Sequence, residues 1–272
     1  MVLPGMRLRD EDAAFQQVLS LLQHDLEAAG HVCRFAQKSQ EDLRHDVGRI
    51  ERFVSHQASD AWVVIGGQHE VVDWFARQPQ PAICIGGGVF GQQIAATGML
   101  ALEGFEQAMR HLVSLGHRRI LSLWPQHHLD LASNPYAQTL GSVLSEAGSQ
   151  MTSYHVPMWK ATPEGLREIL EKTFQFTPPT AIITTYGKWM AGVLSFLAAR
   201  SLRSPRDISL FSLNEDEWFV WKEPEISCLR GDDTHMVRRI VRWVNAVARD
   251  RLLIGFPQQW IQGGTIGPAP KT

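Results

Sequence analysis

Residues 112–124, LVSLGHRRILSLW, predict a helix that stops at a glycine and leads into a buried strand. Apolar residues recur at helical spacing from Leu102 to Val113, and Gly116 stands where helices often end in a left-handed residue. A polar turn over residues 117–119 follows, and residues 120–124 form an apolar run of strand length. A helix followed directly by such a strand is typical of α/β proteins.

The same alternation of helix and strand continues on both sides of this stretch. Strands are predicted over residues 2–4, 31–36, 61–65, 82–85, 120–124, 151–156, 180–185, 208–213, 226–229 and 258–262, and helices over residues 12–28, 43–54, 71–76, 102–113, 136–147, 163–174, 189–200 and 234–252. Such alternation favours parallel strands joined by crossover helices. Two sets of these units in 272 residues predict an α/β fold with two doubly wound parallel-sheet lobes.

Composition narrows the class of protein. The net charge is −2, so the chain as a whole is not basic enough to bind nucleic acid unaided. Cys33, Cys84 and Cys228 lie in separate apolar runs, which predicts buried thiols in a reducing compartment. No apolar run has the length of a membrane span and no signal peptide is apparent, so a cytoplasmic location without membrane contact is expected.

The run Gly86-Gly87-Gly88-Val89-Phe90-Gly91 raises the alternative of a nucleotide-binding α/β enzyme. It follows a strand and has GxGxxG spacing, but a dinucleotide site requires a helix that starts at once. Residues 92–98 instead favour a loop with a short strand. The run is therefore interpreted as a tight loop free of side chains. No P-loop and no nucleophile elbow occurs in the sequence.

The histidines do not predict a metal site. His127 and His128 are adjacent and have no HExxH or CxxC motif beside them, so solvated loop histidines are expected. Asp232 and Asp233 are interpreted as charges at a helix N-terminus. The sequence predicts neither a metal nor a cofactor.

Five segments in order give the chain a resemblance to the LacI/GalR family of transcriptional regulators. They are the Leu-Gly-His-Arg-Arg-Ile of residues 115–120, Leu-Ser-Glu-Ala-Gly of 144–148, Pro-Pro-Thr-Ala-Ile of 178–182, Pro-Arg-Asp-Ile-Ser-Leu of 205–210 and Pro-Glu-Ile-Ser of 224–227. The resemblance implies two periplasmic-binding-protein-like lobes joined by crossing strands. We expect an N-terminal lobe of residues 1–122 plus 231–252 and a C-terminal lobe of 123–230 plus 253–272. It also implies a DNA-binding headpiece upstream that this sequence does not contain.

Ligands of doubly wound sheets bind beyond the carboxyl ends of the strands. Trp124, Trp159, Trp189 and Trp218 are predicted just past strand ends, where aromatic faces suit a sugar or a planar ring, although core filling is the alternative for each. In the family, residues matching Phe15, Trp159, Asn214 and Glu215 line the cleft. Polar groups of the family are replaced near Tyr136, Tyr186-Gly187 and Leu100. The predicted effector-binding residues are Phe15, Tyr136, Trp159, Tyr186, Lys188, Trp189, Asn214 and Glu215.

The expected function is effector binding and dimerisation in a transcriptional regulator, without catalysis. A small molecule in the cleft between the lobes, sugar-like or flatter than a hexose, would change how the missing headpiece binds operator DNA. A homodimer is expected because such regulators read two half-sites. The alternatives are a free solute-binding protein, which the missing signal peptide disfavours, and the nucleotide-binding enzyme.

Overall fold

The computed structural model describes residues 1–89, 91–124 and 134–271. Phe90 of the glycine run and the pair His127-His128 therefore lie outside the described residues. In chain order the helices and strands are β1 (Val2–Leu3), α1 (Ala13–Ala28), α2 (Val47–Ser55), β2 (Trp62–Ile65), α3 (His69–Ala76), β3 (Ala82–Ile85), β4 (Ala95–Leu100), α4 (Leu102–Ser114), β5 (Ile120–Leu123), α5 (Pro135–Glu146), α6 (Pro163–Phe176), β6 (Ala181–Thr184), α7 (Gly187–Ala198), β7 (Ser209–Ser212), β8 (Ser227–Arg230), α8 (Asp233–Asn245), β9 (Leu253–Pro257) and β10 (Gln259–Ile261).

Local sequence explains where several helices begin and end. The side chains of Asp12, Asn134 and Thr162 accept hydrogen bonds from backbone N–H groups in the first turns of α1, α5 and α6. Gly116 follows α4 with φ +93° and Gly148 follows α5 with φ +73°, the left-handed conformation that glycine adopts at low cost. The glycine stops predicted after these two helices are confirmed.

The chain divides into two units, and each contains separate segments. The first comprises residues 1–100 and 231–257, and the second comprises residues 101–230 and 258–272. The first boundary differs from the expected one at residue 122. Phe105, Met109 and Leu112 of α4 pack in one cluster with Ile120 and Leu140, so α4 belongs to the core of the second unit. The last boundary follows residue 257 instead of 252 because β9 pairs with β4.

The first unit is a parallel sheet covered on both faces. Its described strands lie in the order β1-β2-β3-β4-β9, and each neighbouring pair is parallel. Residues of α1 and α8 pack with Val63 and Ile83 on one face. Residues of α2 and α3 pack with Val64 and Cys84 on the other face. Successive strand residues therefore supply opposite cores, as expected for a doubly wound sheet.

The second unit repeats this arrangement with one antiparallel strand. Its described strands lie in the order β10-β8-β7-β6-β5, and β10 pairs antiparallel with β8. The helices α4 and α5 pack with Ile120 and Ile183 on one face, and α6 and α7 pack with Ile182 and Leu210 on the other. The predicted α/β fold class with two doubly wound parallel-sheet lobes is confirmed, and β10 is the antiparallel exception among the described strands.

Three predicted elements differ from the structure, and one strand of the structure is not among the predicted elements. Residues 31–36 make only the isolated bridge from Phe35 to Val2, because β1 beside them is two residues long. Residues 151–156 form a turn instead of a strand, and the Thr152 amide donates to His155 Nδ1. The helix predicted to residue 252 ends at Asn245, and residues 253–257 form the unpredicted strand β9.

Candidate functional site

The strands β5 to β8 are parallel, so their carboxyl ends lie along one edge of the second sheet. In such sheets ligands bind in the loops beyond this edge. Seven of the eight predicted effector-binding residues lie in the second unit, and Phe15 belongs to the first unit. Four of the seven are in loops, namely Trp159, Tyr186, Asn214 and Glu215, and the other three are in α5 and α7. The carboxyl edge of the second sheet is therefore the candidate site.

Three aromatic side chains near this edge pack on one another. The Trp159 and Trp189 ring centroids are 4.7 Å apart with planes at 77°, and Tyr186 lies 4.7 Å from Trp189 at 79°. Trp159 Nε1 donates to the carbonyl of Trp124 at 3.1 Å. Trp159 is 5% exposed and Trp189 7% exposed, so both indoles fill the core beneath the edge. Both tryptophans therefore correspond to the alternative given for them in the sequence, that of filling the core.

Tyr186 and Lys188 are more accessible members of the set. Tyr186 is half-buried, Lys188 is exposed, and Lys188 Nζ lies 5.5 Å from the centroid of the Tyr186 ring. Between them Gly187 begins α7 and packs against the buried carboxylate of Asp216. A Cβ at this position would collide with Asp216, which explains the glycine. The carboxylate beside the amino end of α7 complements the positive end of the helix dipole.

Tyr136 lies on the opposite face of the same sheet. It is half-buried against the first of the two cores of this unit, with its ring 5.3 Å from that of Phe105 in an edge-on arrangement. Burial raises the pKa of the Tyr136 hydroxyl. The structure therefore does not bring Tyr136 together with Trp159, Tyr186 and Trp189, which pack on the other face.

Asn214, Glu215 and Arg230 form a polar group where β7 and β8 end. Asn214 Nδ2 donates to the carbonyl of Thr185 at 2.9 Å. Glu215 Oε1 accepts from Arg230 Nε at 2.6 Å, and Arg230 Nη2 donates to Glu225 at 3.0 Å. Arg230 and Glu225 were absent from the predicted set. The signal for Arg230 is a charged residue that directly closes a buried strand.

The first unit holds Phe15 and the glycine loops. Phe15 is half-buried on α1 and packs against the core formed with α8. The Gly88 amide donates to the Gly67 carbonyl at 2.8 Å, so two glycine loops meet backbone to backbone. The next element is the strand β4, not a helix. The requirement for a dinucleotide site is therefore unmet, and the interpretation as a tight loop holds for the described residues.

Two open grooves occur in the first unit on either side of Asp42. One, of about 460 Å³, lies beyond the carboxyl end of β1 beside Arg7 and Arg9, and the other, of about 490 Å³, lies beside Arg49 and Arg52. Hydrogen bonds from Ser39 and from Arg7 lower the pKa of Asp42 to about 2. The Arg7–Asp42 pair between the grooves is partly exposed and contributes little to stability.

The part of the chain that the structure describes has neither a metal-binding cluster nor a membrane-spanning helix. No group of three or more His, Cys, Asp or Glu side chains there could hold a metal ion. No helix of the described chain combines the length and apolar character needed to cross a bilayer. The His127-His128 pair lies outside those residues.

Comparison with known proteins identifies the family. The profile of the periplasmic binding protein-like domain matches residues 109–252, just over half of the chain. No curated protein sequence matches this chain. Solved structures also share its fold, among them three proteins from different organisms.

All three are LacI family proteins. A transcriptional regulator from Mycobacterium smegmatis is 17% identical, with 98% of this chain and 99% of that chain covered and a TM-score of 0.76. A regulatory protein from Chloroflexus aggregans is 18% identical over 94% and 93% of the two chains, with a TM-score of 0.77. A transcriptional regulator from Enterococcus faecalis V583 with bound ribose is 15% identical over 99% and 98%, with a TM-score of 0.77. The chain therefore belongs to the periplasmic binding protein-like domain family, and it has the fold of LacI-type transcriptional regulators.

Proposed function

We propose that this chain is the effector-binding region of a LacI-type transcriptional regulator. It binds a small molecule without catalysis, and the bound state changes how an attached DNA-binding domain holds its operator. The observation that supports this proposal is the fold, which matches such regulators over more than nine-tenths of both chains. Two of the matched regulators carry bound ribose, which supports a small-molecule effector for this chain. The cytoplasm is the proposed location.

In the second unit we assign the effector to the carboxyl edge of the sheet. Tyr186, Lys188, Asn214 and Glu215 supply accessible contacts there, and Arg230 joins them. Trp159 and Trp189 are buried beneath the edge, so they present little aromatic surface to a ligand. Most of the accessible side chains that we assign to the site are therefore polar. Phe15 and Tyr136 stay proposed contacts, and the prediction of a ligand between the lobes stays a prediction.

The first experiment is a ligand screen. Thermal shift and isothermal titration calorimetry across sugars, sugar phosphates, nucleosides and aromatic metabolites should find one molecule bound per chain. We expect Asn214→Ala to weaken binding of that molecule at least tenfold. The hydrogen bond from Asn214 Nδ2 to the Thr185 carbonyl holds the amide at the edge, so the substitution removes a positioned polar contact. Arg206→Ala, in the exposed Arg206–Asp207 pair, is the matched control and should bind normally. A broad screen without any bound molecule would contradict effector binding.

The second experiment tests regulation. The protein as expressed in its source cells is mixed with fragments of the genome, with and without the ligand found in the screen. We expect selective retention of a fragment that the ligand strengthens or releases. These 272 residues alone, with a net charge of −2, should bind DNA only non-specifically. Ligand binding without any effect on DNA retention would support the solute-binding alternative.

A further inference from the structure

The segment that joins β7 to β8 is strongly acidic. Between Ser212 and Ser227 it contains five acidic residues and one lysine, namely Glu215, Asp216, Glu217, Glu223, Glu225 and Lys222. A short 3-10 helix, Glu217–Trp221, lies within it. The segment begins at the carboxyl edge that carries the candidate site, so its charge acts on any molecule bound there.

Arg230 joins the two ends of this acidic segment. Its Nε donates to Glu215, near the beginning, and its Nη2 donates to Glu225, near the end. We call these three residues the clamp of Glu215, Arg230 and Glu225. Their side chains are 33%, 36% and 37% exposed in that order, so the ion pairs hold the clamp in place while a ligand in solvent can still reach it. These two bonds use two of the five N–H donors of the guanidinium group, so a ligand can accept from the others.

Two buried hydroxyl groups on the same sheet give a second, independent indication of a polar ligand or water. Thr184 and Ser212 pair in register as the last residues of β6 and β7, and both are fully buried. Neither side-chain oxygen has a hydrogen-bond partner among the described residues. Buried hydroxyls normally find partners, so this edge is suited to further polar contacts. Arg230 lies two residues beyond Cys228, which is the register partner of Ser212.

We propose that the clamp of Glu215, Arg230 and Glu225 determines the charge of the effector. This inference rests on the function proposed above. Arg230 donates to an oxygen of the ligand, and Glu215 accepts from a neighbouring hydroxyl. The clamp carries two negative charges and one positive charge, so it selects a neutral ligand with adjacent hydroxyl groups and rejects the same molecule when it is phosphorylated.

Charge decides this selectivity more than shape does. A free arginine would attract a phosphate, but Glu215 and Glu225 already neutralise Arg230 and leave a net charge of −1 on the clamp. The buried carboxylate of Asp216 adds a further negative charge at the amino end of α7, where an anion would otherwise bind. The exposed Lys188 in the first turn of α7 adds one positive charge, so these five groups together still carry a net charge of −1. A phosphate brought to this edge meets like charges at short range, which is an effective means of rejecting a competitor.

The test compares matched pairs of molecules by titration calorimetry on the whole chain. Ribose, glucose and adenosine are each compared with their monophosphates. We expect the wild type to bind at least one neutral member at least tenfold more tightly than its monophosphate. Arg230→Met should weaken that neutral member at least tenfold, and Arg206→Met should not. Glu225→Gln removes one charge with little change of shape, and it should narrow the preference for the neutral member several-fold.

The outcomes separate this inference from the proposed function. A monophosphate that binds the wild type as tightly as its neutral partner overturns the clamp but leaves effector binding intact. An unchanged preference in Glu225→Gln also overturns the clamp, and this variant decides the matter if Arg230→Met does not fold. If none of the three neutral molecules binds, the inference about the clamp is overturned. The proposed function is then tested separately by the broader ligand screen, which contradicts it only if no molecule binds.

Discussion

At the scale of residues, the indole of Trp159 is surrounded by its own protein. It packs at 77° on Trp189, donates to the Trp124 carbonyl and is 5% exposed. We expect Trp159→Ala to lower the free energy of unfolding by about 3–5 kcal/mol, because it leaves a large cavity and an unpaired carbonyl. Urea denaturation provides the measurement. Trp221→Ala is the control, since Trp221 is 87% exposed, and it should change stability by less than about 0.5 kcal/mol.

Loss of ligand affinity in Trp159→Ala therefore cannot by itself identify a contact residue. Asn214 and Lys188 are better probes of the site because they are accessible and outside the aromatic core. If Trp159→Ala unfolds with the same free energy as Trp221→Ala, the assignment of this indole to the core is wrong.

His117 carries a second prediction at the residue scale. Its ring is fully buried, with Nε2 2.9 Å from the Gly267 carbonyl and Nδ1 2.9 Å from Thr180 Oγ1. Burial lowers the pKa of His117 below its ordinary value of 6.5. As pH falls through about 6.5, the unfolded chain takes up this proton before the folded chain does, so stability decreases.

We expect the free energy of unfolding to fall between about pH 7.5 and pH 5.5, and His117→Gln to reduce that fall. The exposed His24→Gln serves as the control, and it should leave the pH dependence of the wild type unchanged. Urea denaturation across this range gives the measurement. The same pH dependence in His117→Gln as in the wild type would contradict the role of His117.

At the scale of elements, two glycines of the same loop predict different costs. Gly87 has φ +80° and Gly91 has φ +78°. A Cβ at Gly87 would collide with the backbone of Gly67, whereas a Cβ at Gly91 would meet nothing within 4 Å among the described residues. We expect Gly87→Ala to lower the free energy of unfolding by about 3 kcal/mol or more, and Gly91→Ala by about 1–2 kcal/mol, the cost of the left-handed backbone alone. Equal losses in thermal and urea unfolding would refute the close approach of the two loops.

The sequence predicts elements well where a periodic apolar pattern ends in a glycine, as at Gly116 and Gly148. It fails where side chains decide the ending. The apolar pattern of α8 continues to Val247, but the helix ends at Asn245. Beyond it the chain turns back, so that Trp243 Nε1 donates to the main-chain carbonyl of Asp250 and Arg239 pairs with the Asp250 carboxylate. Likewise His155 closes a turn on Thr152 where an apolar pattern predicts a strand. These are contacts between residues that no local pattern reveals.

The candidate site was predictable in part for a similar reason. Position after a strand is a property of order along the chain, so Lys188, Asn214 and Glu215 could be proposed from sequence. Which aromatic rings face solvent depends on packing across the sheet, and Trp189 is in the core while Tyr136 lies on the other face. Arg230 required knowledge that both ends of the acidic segment return to one guanidinium.

At the scale of the whole molecule, we expect a homodimer, since regulators that read two half-sites have two-fold symmetry. The apolar face of α2 is not available for a contact between two chains, because Ile50 and Val54 are buried in the first unit. Sedimentation velocity at about 10 μM protein, tenfold above a dissociation constant of roughly 1 μM, should show a dimer. A monomer under those conditions would contradict the expectation.

Because each unit is built from two separate segments of the chain, the first unit cannot complete its fold early in synthesis on the ribosome. The sheet that opens the chain needs β9 beside β4 and α8 against α1, and both arrive only after residue 230. Residues 1–100 must therefore wait, with one edge and one face uncovered, while the following 130 residues are synthesised. At about 5–20 residues per second, this exposure lasts about 7 to 26 seconds, during which chaperones can bind the uncovered apolar surface of the nascent first unit.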